Sequence, residues 1–362
     1  MARKADPLFD DDAGRPRRGA IDAEGSRKPG RLTRLFRRRP RSRRPAAGAD
    51  APTRRPPRRL RGRIVRWTLY GLLAIVLLYY PVGMAVMHRI GDDTAMTAPA
   101  EEGASRAVAM AAALIRRETV DHAWTPNDPF IYPSWALDNL PHFQVGIRDA
   151  LGRFAIEMAD KIGRNRGSSA VDKDLEDAMG KLRYSPYTWV WDISVSLLPT
   201  SSTEAQYRAA MRSLLRYNTR LAAGSATFER RADNLQTLID RVNADIGSDS
   251  ARIADRVEQF GGIFFDTRSD NLFYRTKGRV YGYYMILREL GADFAGILAE
   301  KQARKVWANM MESLRRAAEL QPLIVRNGAP DGMVQPNHLA AQGFFLLRAR
   351  TQLKEVSDIL QR

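Results

Sequence analysis

Two aspartates four residues apart, Asp266 and Asp270, flank Arg268 in the run FDTRSDNLFYR and are the carboxylates best spaced for acid–base work. If the segment is helical they share one face, close enough for one charge to raise the pKa of the other. Such a pair can protonate a glycosidic oxygen and assist attack at the sugar, the chemistry of a peptidoglycan hydrolase or transglycosylase. The competing reading makes both acids helix caps, or partners of Arg268, Arg275 and Lys277. Asp128, Asp138 and Asn139 pose the same choice in WTPNDPFIYPSWALDNLPHFQ, where Asx side chains close turns after proline. Trp124, Trp135, Trp189 and Trp191, with Tyr274, Tyr281, Tyr283 and Tyr284, could line a groove on which sugar rings stack, or could simply fill the core. Gln144, Asn271, Asn337 and His338 complete the polar candidates for contact with a ligand or partner.

Much chemistry is excluded. The chain has no cysteine, so disulfides, thiolate nucleophiles and thiolate metal sites are absent. It contains no HExxH, no Walker loop, no GxGxxG, no GxSxG and no Ser-x-x-Lys. Its four histidines, at 88, 122, 142 and 338, would have to be gathered from distant segments to bind a metal. Neither a metal nor a cofactor is expected, and the balance tips against an enzyme.

The elements that must position these residues read as helices. Residues 105–118 form an alanine-rich stretch. Phe143, Ile147, Leu151, Phe154 and Met158 place one apolar stripe along 143–163. Ser201-x-x-Glu204 has the form of a capping box opening a helix over 203–222. Leu235, Leu238, Ile239, Val242 and Ile246 continue helical spacing after it, and further helices are expected at about 250–260, 272–290, 293–319 and 337–361. Only 188–198, TWVWDISVSLL, has alternation that could make a strand, with a short buried helix as the default. Three irregular connections interrupt the pattern, at 124–144, 261–275 and 321–342, and these are the places to look for a site. The expected fold class is mainly α, an all-α multi-helix domain behind one transmembrane helix.

The runs WTPNDPF, LDNLPHFQVGI, FDTRSDNLFYRTKGRVYGYYMILREL and PNHLAAQGFFLLRARTQL resemble those of a bacterial family catalogued only as a domain of unknown function. The resemblance covers residues 65–362. It implies one N-terminal membrane helix and a helical body, and supplies no catalytic residue.

Trp67 to Met87 is a run without charge, long enough as a helix to cross the hydrocarbon of a bilayer. Ahead of it, residues 1–66 hold 22 basic residues against 7 acidic ones, with too few large apolar groups to form a core. The expected organisation is a disordered Arg/Pro-rich cytoplasmic tail over 1–62, a transmembrane helix over 63–89, a linker over 90–104 and an α-helical periplasmic domain over 105–362. Arg54, Arg55, Arg58, Arg59, Arg61, Arg63 and Arg66 precede the helix whereas Arg89 alone follows closely, which places the N-terminus in the cytoplasm of a bacterial inner membrane. Those arginines suit anionic lipid headgroups. Nucleic acid is not an expected partner, because only Phe36 interleaves the basic run with an aromatic ring. An envelope scaffold that contacts a protein or peptidoglycan is the preferred expectation; a wall hydrolase using Asp266 and Asp270, or a non-catalytic glycan-binding module, is the alternative.

Overall fold

The computed structural model describes residues 58–164, 171–191, 196–262, 266–322, 324–329 and 335–362. Arg54 and Arg55, with the rest of the tail to residue 57, lie outside the described residues, as do 192–195 and the Pro330-Asp331-Gly332 turn.

Helix α1 (Arg58–Met87) opens at Arg58 and closes two residues before the expected end. Its segment Gly62–Met87 has the length and apolarity to cross a membrane and is not buried against the body. Pro81 lies inside it. The body follows as α2 (Arg106–Arg116), α3 (Asn139–Glu157), α4 (Lys173–Leu182), α5 (Thr203–Ala222), α6 (Ala232–Phe260), α7 (Thr267–Asp293), the short α8 (Ala295–Glu300), α9 (Arg304–Ala318) and α10 (His338–Gln361). Both α2 and α3 run out through a single π turn, at Arg117–Asp121 and Met158–Ile162. The fold is all-α among the described residues, with one isolated antiparallel bridge between Asn327 and Asn337.

Helix α7 is central and packs on α3, α2 and α9, while α10 lies along α6 and α9, and α5 along α2 and α4. The α3–α7 crossing is close because glycines face backbone there. A Cβ on Gly278 would overlap the Phe143 carbonyl oxygen, one on Gly146 the Arg275 carbonyl, and one on Gly282 would sit 2.8 Å from Ala150 Cβ. Carboxylates and guanidinium groups then tie α3, α6 and α7 together. Asp149 accepts from Arg279 at 2.7 Å and Arg275 at 3.0 Å, and Asp245 accepts from Arg153 at 2.8 Å and the Tyr283 hydroxyl at 2.5 Å.

Several boundaries differ from the sequence expectation, each for a local reason. Helix α3 begins at Asn139 and takes in Pro141, because a proline in the first turn lacks an N–H that would have no helical partner anyway. The cap of α5 is Ser202, whose side chain accepts from the Ala205 N–H; Ser201 instead accepts from Gln206. Residues 250–260 are the last turns of α6. The expected 293–319 helix is broken into α8 and α9 by Gln302, which sits at φ 55°. In the described part of 188–198 there is neither strand nor helix: the chain turns, and Leu197 and Leu198 face solvent. Helix α4 was not expected. It is short and charge-rich, is capped by Asp172, and buries Leu175, Ala178 and Leu182.

Candidate functional site

Asp266 and Asp270 turn out to occupy opposite environments. Asp266 is the N-cap of α7, accepting from the Ser269 N–H and hydroxyl, and it holds the Arg256 guanidinium at both oxygens, with Nε at 2.9 Å. Burial pushes its carboxyl up, but the hydrogen bonds and charge of Arg256 and Ser269 outweigh this and hold it below the usual range. Asp270, one turn on, has no cation within ion-pair distance among the described residues. Its carboxyl is pushed up to about 6, first by burial and then by the charge of Asp138.

The carboxylate pair is therefore Asp138 with Asp270, the cap of α3 facing the first turn of α7. Asn139 bridges them: with its NH2 turned toward the acids it donates to Asp270 at 2.7 Å and to Asp138 at 3.2 Å. Burial, together with the charges of Asp270, Asp92 and Asp138, raises the neighbouring Tyr274 hydroxyl to about 12. His142, on α3, is held below the ordinary imidazole value by burial and by Arg275, with Asp138 opposing. Arg268 points to solvent and forms no ion pair with either acid, and the Asn271 side-chain oxygen is buried without a hydrogen-bond partner. The arrangement keeps the Asp270 carboxyl protonated up to about pH 6 beside the Asn139 amide.

Lys277, expected from the sequence as a partner of Asp266 and Asp270, pairs with neither and instead meets Asp92. Lys277 is 1% exposed and its ammonium contacts Asp92 at 2.6 Å and donates to the Leu320 carbonyl at 2.5 Å. Burial lowers its pKa, with Asp92 opposing. Asp92 belongs to the segment expected as a linker, whose first half the body grips. Tyr281 donates to the Asp93 carbonyl at 2.8 Å, Arg288 to the carbonyls of Thr94 and Met96 at 2.6 Å each, and Thr94 to Glu319 at 2.8 Å. The partners lie some 190 residues apart in sequence, so no local pattern reveals them.

Most of the remaining candidates hold the first connection in shape. Trp124 is buried edge-on against Tyr207 and donates to the Pro186 carbonyl at 3.0 Å, so it offers no stacking face. Gln144 is fully buried, accepting from Thr125 and donating to Ala123 and Glu118. Asp128 accepts from the Ser134 hydroxyl, and burial raises its carboxyl, with Ser134 opposing and Glu204 adding. In the last connection Asn337 caps α10, bonding Ala340 N–H and the Gly328 carbonyl, and His338 accepts from the Arg326 N–H at 2.9 Å. Trp135 is different: it is exposed, as is Trp191.

Trp135 sits on a loop that meets the membrane-length helix. Tyr79 of α1 donates to the Ile131 carbonyl at 2.9 Å, Tyr80 donates to the Phe130 carbonyl, and Gly83 abuts the Pro133 ring so closely that a side chain there would collide with it. Among the described residues no group of three or more histidine or acidic side chains is placed to hold a metal ion.

No curated protein and no solved structure matches the chain. Two stretches, 81–262 and 266–362, match one bacterial family; they take in the body and the last turns of α1, a later start than the residue 65 read from the sequence. The chain therefore belongs to the DUF2333 family, described as an uncharacterized protein conserved in bacteria.

Proposed function

We propose that the chain is a single-pass protein of the bacterial inner membrane whose periplasmic helical body is a scaffold or interaction module for an envelope partner. The observation that carries this reading is the exposed, membrane-length α1 joined to the body through a segment clamped at Asp92, Asp93, Thr94 and Met96. Orientation follows from charge: Arg54, Arg55, Arg58, Arg59, Arg61, Arg63 and Arg66 precede the apolar run, and on this reading they face anionic headgroups of the cytoplasmic leaflet. The pairing of Asp266 with Arg256 supports a non-catalytic role, because that acid is already engaged.

The test is site-specific photo-crosslinking of the body in intact cells, alongside protease accessibility in spheroplasts. Cleavage of the body from outside, with one discrete crosslinked species of high yield, is the expected result. A protected body would overturn the orientation, and no discrete adduct from any exposed face would overturn the interaction role.

One observation favours a second reading. Asp270, protonated to about pH 6 and paired with Asp138, has the form of a general acid, so a wall hydrolase would draw on that pair rather than on Asp266. Release of muropeptides from purified sacculi that is lost in Asp270→Asn would establish it; retention on sacculi without release would instead mark a glycan-binding module.

A further inference from the structure

The loop Pro129–Ala136 carries the sequence PFIYPSWA. Phe130 is 67% exposed, Ile131 51%, Tyr132 41% and Trp135 60%. A run of four large apolar or amphipathic side chains turned outward on one short loop is costly in water. The body does not cover them. The nearest element on their side is α1, which the loop touches at Tyr79, Tyr80 and Gly83, all inside the apolar segment Gly62–Met87.

Depth follows from the helix rise. If the hydrocarbon begins at Trp67, the first residue beyond the last arginine, a span of about 20 residues ends near Val86. Tyr79 and Gly83 then lie roughly 10 Å and 5 Å below that boundary at about 1.5 Å per residue. A loop at this level must have its backbone groups satisfied by protein, because lipid offers no hydrogen bonds. The observed bonds do this for four of its carbonyls and two of its N–H groups. The Phe130 and Ile131 carbonyls take the two tyrosine hydroxyls, the Pro129 carbonyl accepts from Tyr132 N–H at 2.9 Å, and the Tyr132 carbonyl accepts from Trp135 N–H at 3.1 Å. Pro129 and Pro133 bring no N–H at all. The arrangement also solves a problem for α1, since tyrosine hydroxyls inside an apolar span need acceptors of their own.

We infer that the Pro129–Ala136 loop inserts into the lipid leaflet on the side of the body, as a second membrane contact alongside α1, with Phe130 and Ile131 among the acyl chains and Tyr132 and Trp135 at headgroup level. This rests on the reading of α1 as a bilayer-spanning helix. Aromatic residues with one polar edge suit that interface.

The absence of native cysteine makes the test direct, because one introduced cysteine carries the only label. The full-length protein is reconstituted into phosphatidylethanolamine–phosphatidylglycerol vesicles, with a nitroxide at Phe130→Cys or Trp135→Cys. Leu73→Cys in mid-α1 serves as the lipid reference, and Glu355→Cys on the exposed face of α10 as the aqueous one. Collisions with oxygen and with a water-soluble nickel chelate are then measured. The expected result is nickel access at 130 at least threefold below that at 355, with oxygen access comparable to 73, and an intermediate value at 135. Nickel access at 130 equal to that at 355 would overturn the insertion while leaving the α1 reading intact. Shielding of 130 from both reagents would overturn it too, by placing the loop against protein. Aqueous behaviour at 73 would instead remove the spanning helix and the inference with it.

Discussion

The contrast between Asp266 and Asp270 gives opposite pH signatures to two acids on one helix turn. Asp270 holds its proton up to about pH 6 when folded, against 3.8 for the unfolded chain. Between those values the folded state binds the extra proton, so stability rises as pH falls from about 6 toward 3.8, and the charged form is a burden above 6. Asp270→Asn should therefore raise the thermal midpoint at pH 7.5 by the equivalent of about 1 kcal/mol, allowing for solvent screening, and change nothing below 3.8. Asp266 has the reverse linkage: its folded value lies below 3.8, so its contribution is present above 3.8 and is lost as pH falls through the folded value. Asp266→Ala removes a cap and leaves Arg256 without its carboxylate, an expected loss of about 3 kcal/mol at pH 7.5 by thermal or urea unfolding. The i,i+4 spacing made these residues look alike in the sequence. What separates them, Arg256 on α6 and Asp138 on α3, comes from other helices and left no mark in the local spacing.

At the scale of elements, two features carry disproportionate weight. Gly278→Ala would add helix propensity of about 1 kcal/mol in an isolated helix. At the α3–α7 crossing it forces the helices apart, so a net loss of about 2–3 kcal/mol is expected, read as a lowered urea midpoint. The Asp92–Lys277 pair behaves differently. Asp92→Ala strands a buried ammonium and should cost about 3–5 kcal/mol, whereas the double variant Asp92→Leu/Lys277→Met should recover most of that loss. A double variant no more stable than Asp92→Ala would show that shape, rather than charge pairing, holds the segment. The long helices were legible because α3, α5, α6, α7 and α10 each bury a stripe that repeats over several turns. Helix α4 was not, since three buried positions in a charge-rich ten-residue stretch give too short a period to stand out. The 188–198 segment misled in the other direction: its described residues form turns, and Leu197 and Leu198 lie in the open.

For the molecule as a whole, the join between α1 and the body matters most. A linker over 90–104 reads in the sequence as slack, yet its first half is bonded to α7 and to the end of α9. Its second half, Pro99 to Gly103, is exposed throughout and takes no part in these bonds. Limited proteolysis of the full chain in membranes should therefore be at least tenfold faster after Glu101 or Glu102 than before Asp92 or Asp93, with glutamate- and aspartate-directed proteases compared at matched activity. Equal rates would mean that the first half is loose. A post fixed at its base turns when its top is turned. With residues 92–96 gripped by the body and the 129–136 loop seated against Tyr79, Tyr80 and Gly83, a twist applied to the body passes into α1 as rotation about the helix axis instead of dissipating in a tether.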